Sequence, residues 1–185
     1  MIEGELVRLR PITQADLDAL RRWADDAAIT RFWASPQPLV IERQFEADLD
    51  GRFAIFDTAG YFIIENPIGE AIGRIEFERL SVRERSAEVM ILIGEREARG
   101  RGYGVDAMVA LLGYLFRQRN LHRVSLTVLS DNHAAIRSYQ KVGFVTEGTL
   151  RQDLFFDGKR HDQLAMSILD DEFEQRWPSA LRGTT

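Results

Sequence analysis

The stretch from residue 87 to residue 116 constrains this chain more than any other. Residues 87–93, AEVMILI, are an apolar run of buried-strand length. Downstream, Val105, Met108, Val109, Leu112, Leu115 and Phe116 recur at i, i+3, i+4, i+7, i+10 and i+11, the stripe of a core-facing helix. Between the two lies Arg99-Gly100-Arg101-Gly102-Tyr103-Gly104. A buried strand feeding a glycine turn and then an amphipathic helix demands a layered α/β domain, not a bundle or a sandwich.

The rest of the chain agrees with that class. Residues 5–10 alternate as a strand through Leu6, Val7 and Leu9, and Pro11 ends it. Thr13 reads as an N-cap, with Leu17, Leu20 and Trp23 at helical spacing after it. Residues 31–38 carry two prolines and read as a loop, and residues 40–49 return to helical spacing. Strands follow at 61–65, 71–80 and 87–93, then the helix just described and a β-branched strand at 124–129. A short helix spans 132–141, with Gly143 as its C′ glycine. Two long strands, 144–156 and 161–168, join at Asp157-Gly158. The order is β-α-α-β-β-β-α-β-α-β-β. With 185 residues and no linker, residues 1–176 are expected to form one domain and 177–185 a loosely held tail.

Composition removes several classes. There are no cysteines, so no disulfide framework, thiolate metal site or cysteine nucleophile exists, which fits a cytoplasmic protein. The first residues lack the apolar core of a signal peptide, and no apolar run is long enough to span a bilayer. A net charge of −5 argues against nucleic acid as a partner. His122, His133 and His161 have no ligand spacing, and no metal is expected.

The glycine loop points to an anion. Glycines permit close backbone approach and positive φ, and the helix that follows offers unpaired N–H groups and a positive dipole end. Arg99 and Arg101 add charge suited to phosphate, so a pyrophosphate is the natural guest. A dinucleotide fingerprint counted from Gly102 reaches Ala107, but the loop lies mid-chain and the next strand ends without an acidic residue for a ribose. No Gly-Lys-Ser/Thr ending makes it a Walker loop. A plain strand–helix turn is the bland alternative.

Downstream, Asn132-x-x-Ala135-x-x-x-Tyr139-x-Lys141-x-Gly143-Phe144 lies on and just past the short helix. Asn132 and Tyr139 share a face about 10 Å apart along the axis, with small Ala135 between them, which leaves room for a narrow chain. Taken together, the two constellations resemble the GNAT acetyltransferase superfamily. Leu6 to Pro11, Ser86-Ala87-Glu88 and Phe156-Asp157-Gly158-Lys159 look like its RimJ/RimL-type branch, which includes ribosomal-protein N-terminal acetyltransferases and relatives of spermidine acetyltransferase. The resemblance implies a mixed, mostly antiparallel sheet flanked by helices, with splayed strands forming an acyl-CoA groove, and it suggests a homodimer. It implies that Leu92, Ile93 and Gly94 offer backbone groups to the pantetheine and thioester. The backbone of Arg99, Gly100, Arg101, Gly102, Tyr103 and Gly104 would hold the CoA pyrophosphate. Asn132 would contact the cofactor side of the groove, and Tyr139 would stand near the sulfur as general acid.

The reaction implied is direct attack of a neutral primary amine, on a protein N-terminus or a small molecule, on acetyl-CoA as co-substrate. No cysteine and no G-x-S-x-G elbow provide an acyl-enzyme route. Deprotonating an α-amino group at pH 7 costs about 1.4 kcal/mol and an alkylamine about 4.6 kcal/mol, so the second needs a base or acidic neighbours. Glu88 is the strongest candidate base, ahead of Glu76, Glu78 and Asp153. Phe32 and Trp33 are candidates for the acceptor pocket. The same fold with another acyl-CoA, or with a polyamine or aminoglycoside acceptor, is one alternative; a CoA-binding regulator without turnover is another.

Overall fold

The computed structural model describes residues 1–29 and 58–180. Its strands are β1 (Ile2–Glu3), β2 (Arg8–Pro11), β3 (Gly60–Glu65), β4 (Ala71–Ser81), β5 (Ser86–Ile93), β6 (Arg123–Leu129), β7 (Val145–Phe156) and β8 (Lys159–Leu169). Its helices are α1 (Leu17–Asp25), α2 (Tyr103–Arg117), α3 (His133–Val142) and α4 (Asp170–Arg176). All eight strands form one sheet in the order β1-β2-β3-β4-β5-β6-β8-β7. Every pairing is antiparallel except that of β5 with β6. The expected mixed, mostly antiparallel sheet is therefore present.

Period-2 patterning gives the β2–β5 half two different faces. In β4, Ile75 and Phe77 look one way and Arg74, Glu76 and Glu78 the other. The first face continues through Leu9, Phe62, Ile64 and Val89 and is covered by Met108, Leu111, Leu112 and Leu115 of α2. These side chains are at most 8% exposed, and they make up much of the main core. On the second face, Leu20 and Trp23 of α1, with Ile29, cluster with Ile63 and partly buried Leu92. The remaining residues of that face are largely ionic.

Several boundaries differ from expectation. Residues 4–7 form a turn closed by the Gly4 N–H to Val7 carbonyl bond, and the strand begins only at Arg8 and includes Pro11. A closing helix, α4, was not expected; it opens on three consecutive acidic residues, suited to the positive end of a helix. The expected loose tail begins as a docked segment: the Trp177 indole donates to the Val142 carbonyl at 2.7 Å, and Ala180 packs by Gly113. The expected helix at 40–49, the loop at 31–38, and Phe32 and Trp33 lie outside the described residues.

Candidate active site

The site begins where two neighbouring strands part. β5 pairs with β6 only through Ser86–Arg123, Ala87–Val124 and Glu88–Ser125. Its pairing with β4 on the other side runs on to Gly73–Ile93, and the Gly94 N–H donates to the Ile72 carbonyl at 2.9 Å. Antiparallel ladders alternate hydrogen-bonded and non-hydrogen-bonded pairs, so Leu92, like Gly94, directs its peptide groups toward β4. Ile91 and Ile93 then direct theirs into the gap. Of the three strand-end residues expected to serve the cofactor, Ile93 presents its N–H to the opening.

The strand end is held from two sides. Trp23 of α1 packs so tightly on Gly94 that a Cβ there would lie 2.3 Å from the indole, and its Nε1 donates to Glu95. Arg99 turns its guanidinium back onto the strand, donating from Nε to the Ile93 carbonyl at 3.0 Å and from Nη2 to the Gly94 carbonyl at 2.9 Å. Charge suited to phosphate is the sequence reading of Arg99. The side chain instead satisfies the Ile93 carbonyl, which the departure of β6 leaves without a ladder partner, and the Gly94 carbonyl just past the strand end.

The glycine loop has the conformation its residues suggest. Gly100 (φ +73°) and Gly102 (φ +88°) are left-handed, the latter as the N-cap of α2. No atom lies within 4 Å of a Cβ built on Gly100, and only Leu6, at 3.6 Å, near one on Gly102. Backbone conformation rather than crowding by this chain therefore demands glycine at both. Arg101 is exposed beside them. Asp106, in the first turn of α2, accepts backbone N–H bonds from Glu5, Leu6 and Val7 at 3.0, 2.8 and 2.9 Å. Nothing in the local pattern beyond an acid in a first helical turn signalled this contact.

α3 follows β6 and is capped by Asn132, whose Oδ1 accepts from the Ala135 N–H at 3.2 Å. At its other end Gly143 (φ +122°) and Phe144 both donate to the Tyr139 carbonyl. The Tyr139 ring packs against the main core and meets Phe144 edge-on at 5.9 Å. Burial pushes the Tyr139 phenol up to about 12.

The second face gathers the carboxylates. Glu78 and Glu88 are direct cross-strand partners, and Glu76 lies opposite Met90, one same-face step nearer the open end of β5. Glu88 is exposed and takes both oxygens to Arg79 at 3.0 Å. Glu78 accepts from the Tyr61 hydroxyl at 2.6 Å. Glu76 is buried, 3.5 Å from Arg74; burial pushes its carboxyl up while the Arg74 charge opposes. Asp153 stands on the exposed strand β7, away from this group. His122 contacts Asp170 at 2.9 Å and His161 stacks on Phe156 at 3.7 Å. Among the described residues no three His, Asp or Glu side chains are placed to hold a metal ion, and no helix is long and apolar enough to cross a membrane.

Comparisons with known proteins bear on this geometry. The model of the acetyltransferase (GNAT) domain matches residues 7–145. Spermidine N(1)-acetyltransferase of Escherichia coli is 29% identical over 174 residues, spanning 94% of this chain and 91% of that protein. The crystal structure of spermidine N-acetyltransferase from Vibrio cholerae with CoA and spermine superposes with a TM-score of 0.83 at 27% identity, covering 92% of this chain and 99% of that one. Mycobacterium smegmatis RimJ in complex with CoA-disulfide superposes with a TM-score of 0.80 at 25% identity, covering 95% and 90%.

Proposed function

Because the chain belongs to the GNAT acetyltransferase family and is an N-acetyltransferase, we propose a residue-level account of how it moves an acetyl group from acetyl-CoA to a primary amine. The observation that carries it is the parting of β5 from β6 beside the glycine loop, with Tyr139 on the helix that follows β6. The pyrophosphate sits on the backbone of residues 99–104 at the N-terminus of α2, where N–H groups and dipole favour an anion. Pantetheine lies in the gap between the strands, bonding Ile91 and Ile93 as a substitute strand would. Leu92 and Gly94 shape that end through packing, and Asn132 borders the groove from the α3 side. The Ile93 N–H is placed to receive the oxyanion formed when the amine attacks the thioester.

Tyr139 acts on the leaving sulfur. A phenol at about 12 facing a thiol near 8.5 makes full proton transfer uphill by about 3.5 units, roughly 5 kcal/mol, when the thiolate is solvated. The phenol therefore acts first as a hydrogen-bond donor to the thiolate, and the proton follows as the departing sulfur's basicity rises in the same dry groove. The high value keeps the phenol protonated across the working pH range.

The acceptor enters from the second face. Proton removal is assigned to its carboxylates, with Glu88 as base and Glu76 as the nearer of its neighbours to the open strand end. Phe32 and Trp33 remain proposed walls of the acceptor pocket. Three carboxylates facing two guanidinium groups, Arg74 and Arg79, favour a polyamine over an uncharged acceptor, a second reading in line with the names of the spermidine-acetylating relatives. Exposed Val145, Leu150 and Phe155 on β7 suit a homodimer contact. A cytoplasmic location accords with the absence of cysteine. The test is thiol release from acetyl-CoA with spermidine, aminoglycosides and N-terminal peptides as acceptors. Turnover with spermidine above the others supports the polyamine reading, and preference for peptides overturns it.

A further inference from the structure

We propose that Asp106 is a positioning residue for acyl-CoA, stapling the N-terminal turn at residues 4–7 to the first turn of α2 so that the glycine loop keeps its binding shape. The inference rests on the reading of that loop as the CoA site. An acid this early in a helix ordinarily serves its own N-terminus. Asp106 instead reaches across the molecule and takes three N–H donors from Glu5, Leu6 and Val7, about a hundred residues earlier in the chain. Residues 4–7 lie between the ends of β1 and β2, so the carboxylate supplies the partners that no strand provides there.

Two further contacts make the staple specific. A Cβ on Gly4 would lie 2.3 Å from Asp106 Oδ2, so any side chain there would displace the carboxylate from its three donors. Leu6, partly exposed, stands against Gly102, the left-handed N-cap residue of α2, and forms a wall of the loop. The electrostatics matter as well. A carboxylate in the first turn of an anion-binding helix opposes a pyrophosphate, but here its charge is directed at three donors outside the helix. Without it, turn and loop are ordered only when the cofactor arrives, and affinity carries that entropy. Tyr139 and the carboxylates of the second face sit on other elements and are untouched.

Calorimetric titration with acetyl-CoA and steady-state kinetics on wild type, Asp106→Ala and Asp106→Asn test this. If wild type fails to bind acetyl-CoA, the reading of the loop itself is wrong. If wild type binds, Asp106→Ala is expected to raise Kd and KM for acetyl-CoA about tenfold, the size of one hydrogen bond to a charged group. Under saturating cofactor, kcat and the acceptor KM should change by no more than about twofold. Asp106→Asn, which keeps one accepting oxygen, should fall between, and it carries the test alone if the alanine variant does not fold. Hydrogen exchange at Glu5, Leu6 and Val7 should slow on CoA binding more in the variants than in wild type, because only there does the ligand order the turn. Unchanged Kd in a folded variant, or a proportionate loss in kcat and both KM values, overturns the proposal.

Discussion

The two faces of the β2–β5 sheet are built from alternate residues of the same strands yet do opposite work. The first face is apolar and sealed by α2: Ile75, Phe77 and Val89 meet Met108, Leu111 and Leu115 in a core with almost no exposed area. The second carries Arg10, Arg74, Glu76, Glu78 and Glu88 around a small cluster under α1. Burying apolar surface needs no partner chosen residue by residue, so the first face supplies rigidity to the edge where β5 and β6 part. Each charge on the second face must be matched by a named partner, which makes it selective but expensive to alter. One strand thus turns the peptide groups of Ile91 and Ile93 toward the gap and the side chains of Glu88, Met90 and Leu92 toward the second face, the division on which the proposed cofactor and acceptor sides rest.

The largest effect is expected on the cofactor side. Tyr139→Phe removes only a hydroxyl from a ring held by Phe144, so kcat should fall on the order of 100-fold with KM for acetyl-CoA little changed. If kcat is retained and only cofactor affinity moves, Tyr139 is a groove residue and not an acid.

On the second face, Asp16→Asn breaks a bidentate pair with Arg10, at 2.7 Å for both contacts, and leaves one uncharged oxygen where two carboxylate oxygens served Arg10 and the Thr13 N–H and hydroxyl. A loss of about 2 kcal/mol in stability follows, read by chemical denaturation. Burial alone would raise the Asp16 carboxyl, but Arg10 and Thr13 outweigh it and hold it below its usual range. A lowered folded pKa means stability that is full above the unfolded value and lost as pH falls through the folded one. The difference between wild type and variant should therefore close as pH drops below about 4. A difference that persists unchanged at pH 3 would show that packing, not charge, holds this corner.

Gly102→Ala tests whether loop conformation matters without crowding. With Leu6 at 3.6 Å the new methyl fits, but φ of +88° costs roughly 1–2 kcal/mol in a residue with a Cβ, and acetyl-CoA affinity should weaken about tenfold. Wild-type affinity in this variant would mean that the loop shifts freely and glycine is dispensable there.

The smallest and most discriminating comparison is Glu88→Gln beside Glu76→Gln. An alkylamine is about 2.4 units more basic than an α-amino group, so loss of the base should cost the alkylamine several-fold more in kcat/KM. If Glu76→Gln produces that split and Glu88→Gln does not, the base is the buried carboxylate and Glu88 serves Arg79.

Much of this was legible before any coordinates. The period of 105–116, the turn chemistry of Asp157-Gly158 and the strand at 71–80 each reflect interactions within a few residues, and each became the element expected. Gly143 past the helix end was legible for the same reason. The strand at residues 5–10 was misplaced because its first half is claimed by Asp106, a partner a hundred residues away. Nothing near Arg99 distinguishes a phosphate ligand from a carbonyl clamp; that depends on where β6 leaves β5.

By itself, then, the sequence determined the glycine loop, the helix that follows it, the Asn132–Tyr139 face and through them the family. These are short contiguous patterns whose chemistry is complete within one or two turns. Only the tertiary structure decided which strand-end N–H faces the gap, where the Arg99 side chain goes, and that Glu76 is buried while Glu88 is not. Register, burial and the parting of two parallel strands are set by segments far apart in the chain, and no local spacing encodes them.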